Sequence, residues 1–426
     1  MSASSFTILF LAAVLSSFAA RLWLASRQMR HVALHRGQVP AAFAATVTTE
    51  AHRRAADYTL AQVRFGTLST AFGTALLLGW TLLGGLDALN TLVRDFVQPR
   101  FGNMVYQLAL LTAFGFIGAV IELPLNWFET FRIEQRFGFN RMSPALWVAD
   151  LAKGTLVSLV IGLPLAALIL WIMGSSGSHW WQAWWFWAWV AWVGFNLVLL
   201  VLYPTVIAPM FNKFEPLTDK TLSDRVRALM QRCGFAAKGL FVMDGSRRSA
   251  HANAYFTGLG AAKRVVFFDT LLSRLTPGEV EAVLAHELGH FKHRHVGKRM
   301  VGIFALSLAG LALLGWLAAQ GGFFAGLGVA PNLAAPNDAL ALVLFALALP
   351  PVTFFVTPLM AQLSRRHEFQ ADAYACTQAD GRDLARALLK LHEDNASTLT
   401  PDPVYVRFYY SHPPASERLA ALPTPA

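Results

Sequence analysis

Long apolar runs alternate along the chain with shorter polar connections rich in arginine. The apolar residues gather into seven blocks, near 6–25, 67–89, 105–125, 155–173, 181–203, 300–319 and 339–362. A run of about 20 residues is what a helix needs to cross a hydrocarbon core of about 30 Å. The pattern therefore predicts seven membrane helices, five before residue 204 and two after 299. The first block has no basic segment ahead of it, and its arginine, Arg21, falls late in the run. It reads as a retained helix rather than a cleaved signal.

Between the fifth and sixth blocks the periodicity changes. The proline-punctuated "YPTVIAPMFNKFEPL" (203–217) ends the fifth run, and "LSDRVRALMQRCG" (222–234) has the spacing of an amphipathic helix closed by glycine. "GLFVM", "NAYFTGLG" and "KRVVFFD" predict three short strands between Gly-rich turns. In "TPGE", Thr276 is placed as an N-cap, Pro277 at the first helical position and Glu279 three residues on. That is a capping box, so a helix is expected over 277–297. After the last apolar run, "RRHEFQADAYA" (365–375) continues as a helical extension of it.

The expected architecture is mainly α: a polytopic membrane protein with seven transmembrane helices, plus a small α+β domain of polar composition. Residues 1–203 would hold five helices and 300–362 helices six and seven. Segments 204–299 and 363–426 would be two parts of one polar domain, meeting in space around a membrane hairpin.

Composition agrees with a membrane chain. Its 426 residues are 55% hydrophobic and 14% charged, against about 25% charged in soluble proteins. The net charge of +10 could suggest nucleic acid, but its placement excludes that reading. Lys and Arg crowd into alternate connections: Arg27 to Arg64, Arg132 to Lys153, Lys213 to Arg299 and Arg365 to Arg418, whereas the other loops hold only Arg94 and Arg100. This is the positive-inside bias, with the N-terminus outside and the C-terminus cytoplasmic; for a bacterial chain the membrane would be the inner one. Basic charge here sets topology and meets anionic membrane lipids. Cys233 and Cys376 form neither a disulfide framework nor a CxxC metal motif. "WWQAWWFWAWVAW" (180–192) holds seven of thirteen tryptophans and reads as an aromatic belt at the outer interface.

Candidate chemistry concentrates in "AVLAHELGHFKHRH" (282–295). His286 and His290 lie four apart on a helix and share a face, with Glu287 beside the first. This His-Glu-x-x-His spacing lets two imidazoles hold one Zn²⁺ while the glutamate reaches a water. A catalytic site needs a third protein ligand. His293 and His295 are read as helix-end residues that complement the macrodipole. Glu368 and Asp372, four apart in the downstream helix, offer one carboxylate for a metal and one for an imidazole N–H. Alternatively they form an exposed acidic pair neutralised by Arg365 and Arg366.

Taken together, "LAHELGHFKHRH", "EFQADAYA", "SAHANAYFTG", "RFGFN" and "YSHPPASERLAAL" resemble the type I CaaX prenyl endopeptidases, zinc proteases with seven membrane helices. The likeness runs in order from about residue 30 to 420. It implies a ring of helices around a chamber, a zincin-like metalloprotease domain in the small α+β part, and one Zn²⁺ per chain held by His286, His290 and Glu368. It also implies Glu287 as general base and Asp372 as outer-shell partner. "SAHANAYFTG" would be the edge strand along which a peptide lies, with Asn253 as its polar contact. "SHPPASER" would supply His412 and Arg418 to the substrate or the oxyanion. The implied reaction is cleavage after a prenylated cysteine, releasing the C-terminal tripeptide. Partners would be peptide or protein substrates, lipid-modified ones included. Two other readings compete: a membrane quality-control zinc protease with no prenyl requirement, and a transporter in which Glu122 marks a pathway. The second leaves the His-Glu-x-x-His motif unexplained.

Overall fold

The computed structural model describes residues 1–175, 183–236, 239–257 and 264–422. α1 (Ala3–His35) and α2 (Thr49–Trp80) each start under a hydroxyl cap, Ser2 and Thr48 accepting from the N–H groups of Ser5 and Ala51. α2 stops at a turn in which Gly84 adopts φ +80°, and α3 (Gly85–Phe128) follows at once. The second apolar block, expected as one span over 67–89, is therefore shared between two helices. α3 is itself broken at Gly102, three residues after Pro99. A π-helical turn (Glu129–Glu134) ends it; α4 (Pro144–Gly174), α5 (Trp184–Leu202), a second π-helical turn and α6 (Ala208–Phe211) come next. Of the expected aromatic belt, Trp180, Trp181 and Gln182 lie outside the described residues, and the rest opens α5.

The polar region then builds β1 (Phe214–Pro216), α7 (Lys220–Arg232), β2 (Gly239–Met243), β3 (Ala254–Thr257), β4 (Arg264–Phe268), α8 (Asp269–Leu272) and α9 (Pro277–Lys292). α10 (His295–Ala318) and α12 (Asp338–Thr353) are the next long apolar helices, with the short α11 (Gly321–Gly326) between them. α13 (Thr357–Gln378), α14 (Gly381–Asp394), α15 (Pro403–Tyr409) and α16 (Ala415–Ala420) complete the chain. Residues 258–260 and 263 of the expected strands fall outside the described residues.

Among the described residues, six helical runs are long and apolar enough to span a membrane: Ala3–His35, Gly85–Glu134, Pro144–Gly174, Trp184–Phe211, His295–Ala318 and Asp338–Gln378. α2 is the seventh long helix, its apolar character diluted by Gly66, Thr67, Ser69, Thr70, Gly73 and Thr74. In four of the six runs only 6–11% of the most apolar window is buried. Large side chains such as Leu156, Val160 and Trp171 on α4 stay exposed. Helices of a water-soluble bundle bury an apolar stripe; these present apolar surface outward, as a hydrocarbon solvent permits.

The sheet has the order β1-β2-β4-β3, with β2 parallel to β4 and the other two pairs antiparallel. β3 is thus an edge strand. One sheet face and three helices share a core, with Leu222, Val226 and Leu229 of α7, Val265 and Phe267 of β4, Val280, Leu284 and Leu288 of α9, and Leu384 of α14. The membrane side reaches this unit through the turn after the first π-helical segment. Phe139 C=O accepts from Ala250 N–H, Arg141 N–H donates to Arg248 C=O, and Arg248 forks onto Asp150 of α4 at 2.8 and 3.0 Å. These bonds hold the segment leading into β3.

The helix expected over 277–297 is shorter. Its capping box is present as read, with Thr276 and Glu279 bonding each other's N–H groups. It ends at Lys292, where His293 caps it and Arg294 turns to φ +55°, and α10 begins at His295. A non-glycine residue in the left-handed region is uncommon, and here it reverses the chain beneath the end of α9.

Candidate active site

α9 and α13 pack closely, and Gly289 is the residue that lets them. A Cβ added there would lie 2.9 Å from Ala371 Cα and 3.0 Å from its carbonyl oxygen. With the helices this near, His286 and His290 on α9 face Glu368 on α13. The two Nε2 atoms are 3.2 Å apart. Glu368 Oε2 is 3.6 Å from His286 Nε2, and its Oε1 is 3.4 Å from His290 Nε2. Glu368 is 2% exposed, so a buried carboxylate is pointed at two imidazoles.

Asp372, one turn beyond Glu368, accepts from His286 Nδ1 at 2.8 Å. A carboxylate only accepts, so this bond puts the imidazole proton on Nδ1 and leaves a lone pair on Nε2. Arg418 of α16 forks onto Asp372, Nε and Nη2 donating at 2.8 and 2.6 Å. Its remaining nitrogen, Nη1, is 3.7 Å from Glu368 Oε2. Arg365 pairs with Glu417 instead, and both Glu368 and Asp372 are buried. The exposed, arginine-neutralised acidic pair is therefore not what forms.

His412 stands at the mouth with Nδ1 2.8 Å from Glu368 Oε2. That carboxylate raises the imidazole above its ordinary value. The contact is an ion-pair distance without the angle of a hydrogen bond, and Oε2 is a buried acceptor with no in-line donor. The three ligand atoms lie within 4.8 Å of one another, and with its proton on Nδ1 His286 offers the Nε2 lone pair toward the other two. The donor set of two imidazoles and one carboxylate fits a catalytic metal with an open position.

Glu287 turns from the same helix into a cavity of about 390 Å³, whose lining includes His286, Glu368, His412, Arg418, Asn253 and Asn395. That is the size of a small-molecule or peptide-residue pocket. Asn253 is exposed at the cavity's edge, just before β3, and its side-chain oxygen accepts from the next N–H, Ala254, at 2.8 Å. Six of the eight expected site residues thus line one cavity, and the other two, His290 and Asp372, touch the lining residues Glu368 and His286 from behind. The reading of His295 as a helix-end residue that complements the macrodipole needs correction, because the break after Lys292 makes it the first residue of α10. His295 is 4% exposed and sits with Nδ1 3.0 Å from His290 Nδ1, behind the metal-facing side. The sequence signal for it, a histidine five residues after His290, is misleading on a continuous helix.

Comparisons with known proteins place the chain in a family. Residues 28–213 match the family model described as CAAX prenyl protease N-terminal, five membrane helices, and 216–426 match peptidase family M48. The chain is 34% identical to an Arabidopsis thaliana CAAX prenyl protease 1 homolog over 76% of each chain. It is 30% identical to CAAX prenyl protease 1 of Saccharomyces cerevisiae, covering 96% of this chain and 93% of that one. The chain belongs to the CAAX prenyl protease 1 family. Its fold superposes on the crystal structure of S. mikatae Ste24p with a TM-score of 0.89 at 28% identity, covering 98% and 99% of the two chains. The protein is an integral membrane metalloendopeptidase of this family, acting on peptide or protein substrates. Its His-Glu-x-x-His helix and Glu368 together offer the site where a catalytic metal fits.

Proposed function

We propose that the chain is a zinc endopeptidase that cuts after a prenylated cysteine and releases the C-terminal tripeptide. The observation that carries this reading is the convergence of His286 Nε2, His290 Nε2 and Glu368 within 4.8 Å, beside Glu287 and an edge strand on one cavity. Zinc held by His286, His290 and Glu368 would polarise the scissile carbonyl and acidify a water. Glu287 would serve as the base that takes a proton from the attacking water and passes it to the leaving amine. His412, at the cavity mouth, donates to the carbonyl oxygen as charge develops there. Asp372, fixed by Arg418, orients His286. The peptide adds to β3 as a further strand, with Asn253 as a polar contact near the cut bond. Arg418 Nη1 faces the same cavity and can meet the substrate there.

The relatives' names supply the substrate class, and the exposed spans suit it, because a lipid anchor can stay in apolar surroundings while its peptide reaches the cavity. Spans with both faces unburied also favour helices arranged as a ring around a chamber. The alternate basic connections favour an outside N-terminus and a cytoplasmic C-terminus, in the inner membrane for a bacterial host. Segments 204–299 and 363–426 act as one catalytic unit through the contact of α9 with α13 and α14.

The test compares matched peptides, one farnesylated at the CaaX cysteine and one not, using purified protein in detergent beside Glu287→Gln. Cleavage of the farnesylated peptide alone, lost in the variant by a factor of about 10² or more, is the expected result. Equal cutting of both peptides would instead point to a quality-control protease without a prenyl requirement. A variant as active as wild type would overturn the mechanism.

A further inference from the structure

His290 must present an unprotonated Nε2 to bind a metal, and nothing on α9 ensures that it does. A neutral imidazole carries one N–H, which can sit on either nitrogen. For His286 the Asp372 carboxylate decides the matter. For His290 the partner of Nδ1 is another imidazole, His295 Nδ1 at 3.0 Å. That contact alone fits either direction of donation.

The direction is set one bond further out. His295 Nε2 lies 2.8 Å from Gln370 Oε1, on α13. With the amide oxygen accepting, His295 carries its proton on Nε2 and offers a lone pair at Nδ1. His290 Nδ1 must then donate, and its Nε2 is left bare, facing His286 and Glu368. The reversed amide would place a proton on His290 Nε2, which cannot ligate. His367, one residue before Glu368, stacks on the His295 ring at 3.9 Å with an 11° tilt and fixes its plane.

Backbone geometry makes the contact possible. On a continuous α-helix, residues five apart point about 140° away from each other. The break after Lys292 and the left-handed Arg294 bring His295 back under His290. A strained conformation held at this point has a use, since it aims one side chain.

We infer that His295 is a positioning residue for the metal site, a neutral relay through which Gln370 fixes the proton of His290 on Nδ1. The inference rests on the metal reading above. The role differs from that of a ligand: His295 touches His290 on the side away from the other donors.

The experiment measures Zn²⁺ affinity of the full-length protein by chelator competition, together with the Co²⁺ absorption spectrum and the thermal midpoint. His295→Leu removes the acceptor, and an outer-shell loss of about 10–100-fold in affinity is expected. His295→Gln can accept from His290 through its amide oxygen and should recover most of that affinity. Gln370→Glu keeps an acceptor for His295 and should bind like wild type, whereas Gln370→Met should weaken binding. If His295→Leu does not fold, the two Gln370 variants decide. A folded His295→Leu with wild-type affinity, or Gln and Leu at 295 equally impaired, would overturn the relay. If wild type holds no equivalent of zinc, or if His290→Ala binds as wild type does, the metal reading itself falls, and the relay with it.

Discussion

Asp372 shows how one side chain can matter without touching substrate. It is 3% exposed, and burial alone would hold a carboxyl neutral. Instead it receives donors from His286 and twice from Arg418. Removing Arg418 would leave a buried carboxylate with one partner, which is costly by about 3–5 kcal/mol when a buried pair loses a member. Arg418→Ala is therefore expected to lower the thermal midpoint and also to weaken metal binding through His286. Arg418→Lys should restore part of the stability but not the fork, since an ammonium cannot bond both oxygens in one plane. Differential scanning fluorimetry with metal analysis separates these effects. An unchanged midpoint in Arg418→Ala would show that Asp372 does not depend on this partner.

At the scale of elements, the site depends on how near α9 comes to α13. Glycine inside a helix is ordinarily about 1 kcal/mol worse than alanine, so by propensity alone Gly289→Ala would be stabilising. The added methyl would meet Ala371 Cα at 2.9 Å, and backbone cannot yield as a side-chain tip can. Overpacking of this kind costs about 1–3 kcal/mol, so the clash wins. The variant should melt lower than wild type and bind metal less well, because Glu368 moves away from both histidines. A higher melting point with intact metal affinity would show that the helices have room to part.

The same elements show what could be read from sequence. The capping box at Thr276 is local, and the start of α9 followed from four residues. The ligand candidates lay at helical spacing, so their shared faces were legible too. The end of α9 was not, because a left-handed Arg294 carries no glycine to announce it. β1 is three residues long and ends in proline, too short for any alternation to show. The part played by His295 depends on Gln370, 75 positions away, and no local pattern contains that. The joining of 204–299 to 363–426 was expected from the need for a third ligand, while other bonds that accomplish it, such as Lys390 to Glu279, were not.

Across the whole molecule, membrane helices and catalytic unit meet at His251, just ahead of the edge strand. Its Nδ1 donates to Asn395 Oδ1 at 3.0 Å, at the end of α14, and its ring stacks on Phe139 at 4.4 Å. Its Nε2 is 3.6 Å from Glu134 Oε2, in the π-helical turn. Tyr58 and Gln62 of α2 both donate to the other oxygen of Glu134 at 2.6 Å. The Glu134 carboxylate holds His251 above its ordinary value, with help from Asn395 and against some desolvation. A folded-state value above the unfolded value of about 6.5 means the protonated imidazole stabilises the fold. That contribution is complete below about pH 6.5 and is lost as pH rises through the raised value. The side chain is 37% exposed, so solvent screening keeps the effect under about 1 kcal/mol. The thermal midpoint of wild type minus that of His251→Gln should therefore be largest near pH 6 and shrink toward pH 8.5, and added salt should reduce it. Parallel curves for the two proteins across that range would mean that the histidine joins these parts by packing against Phe139 and not by charge.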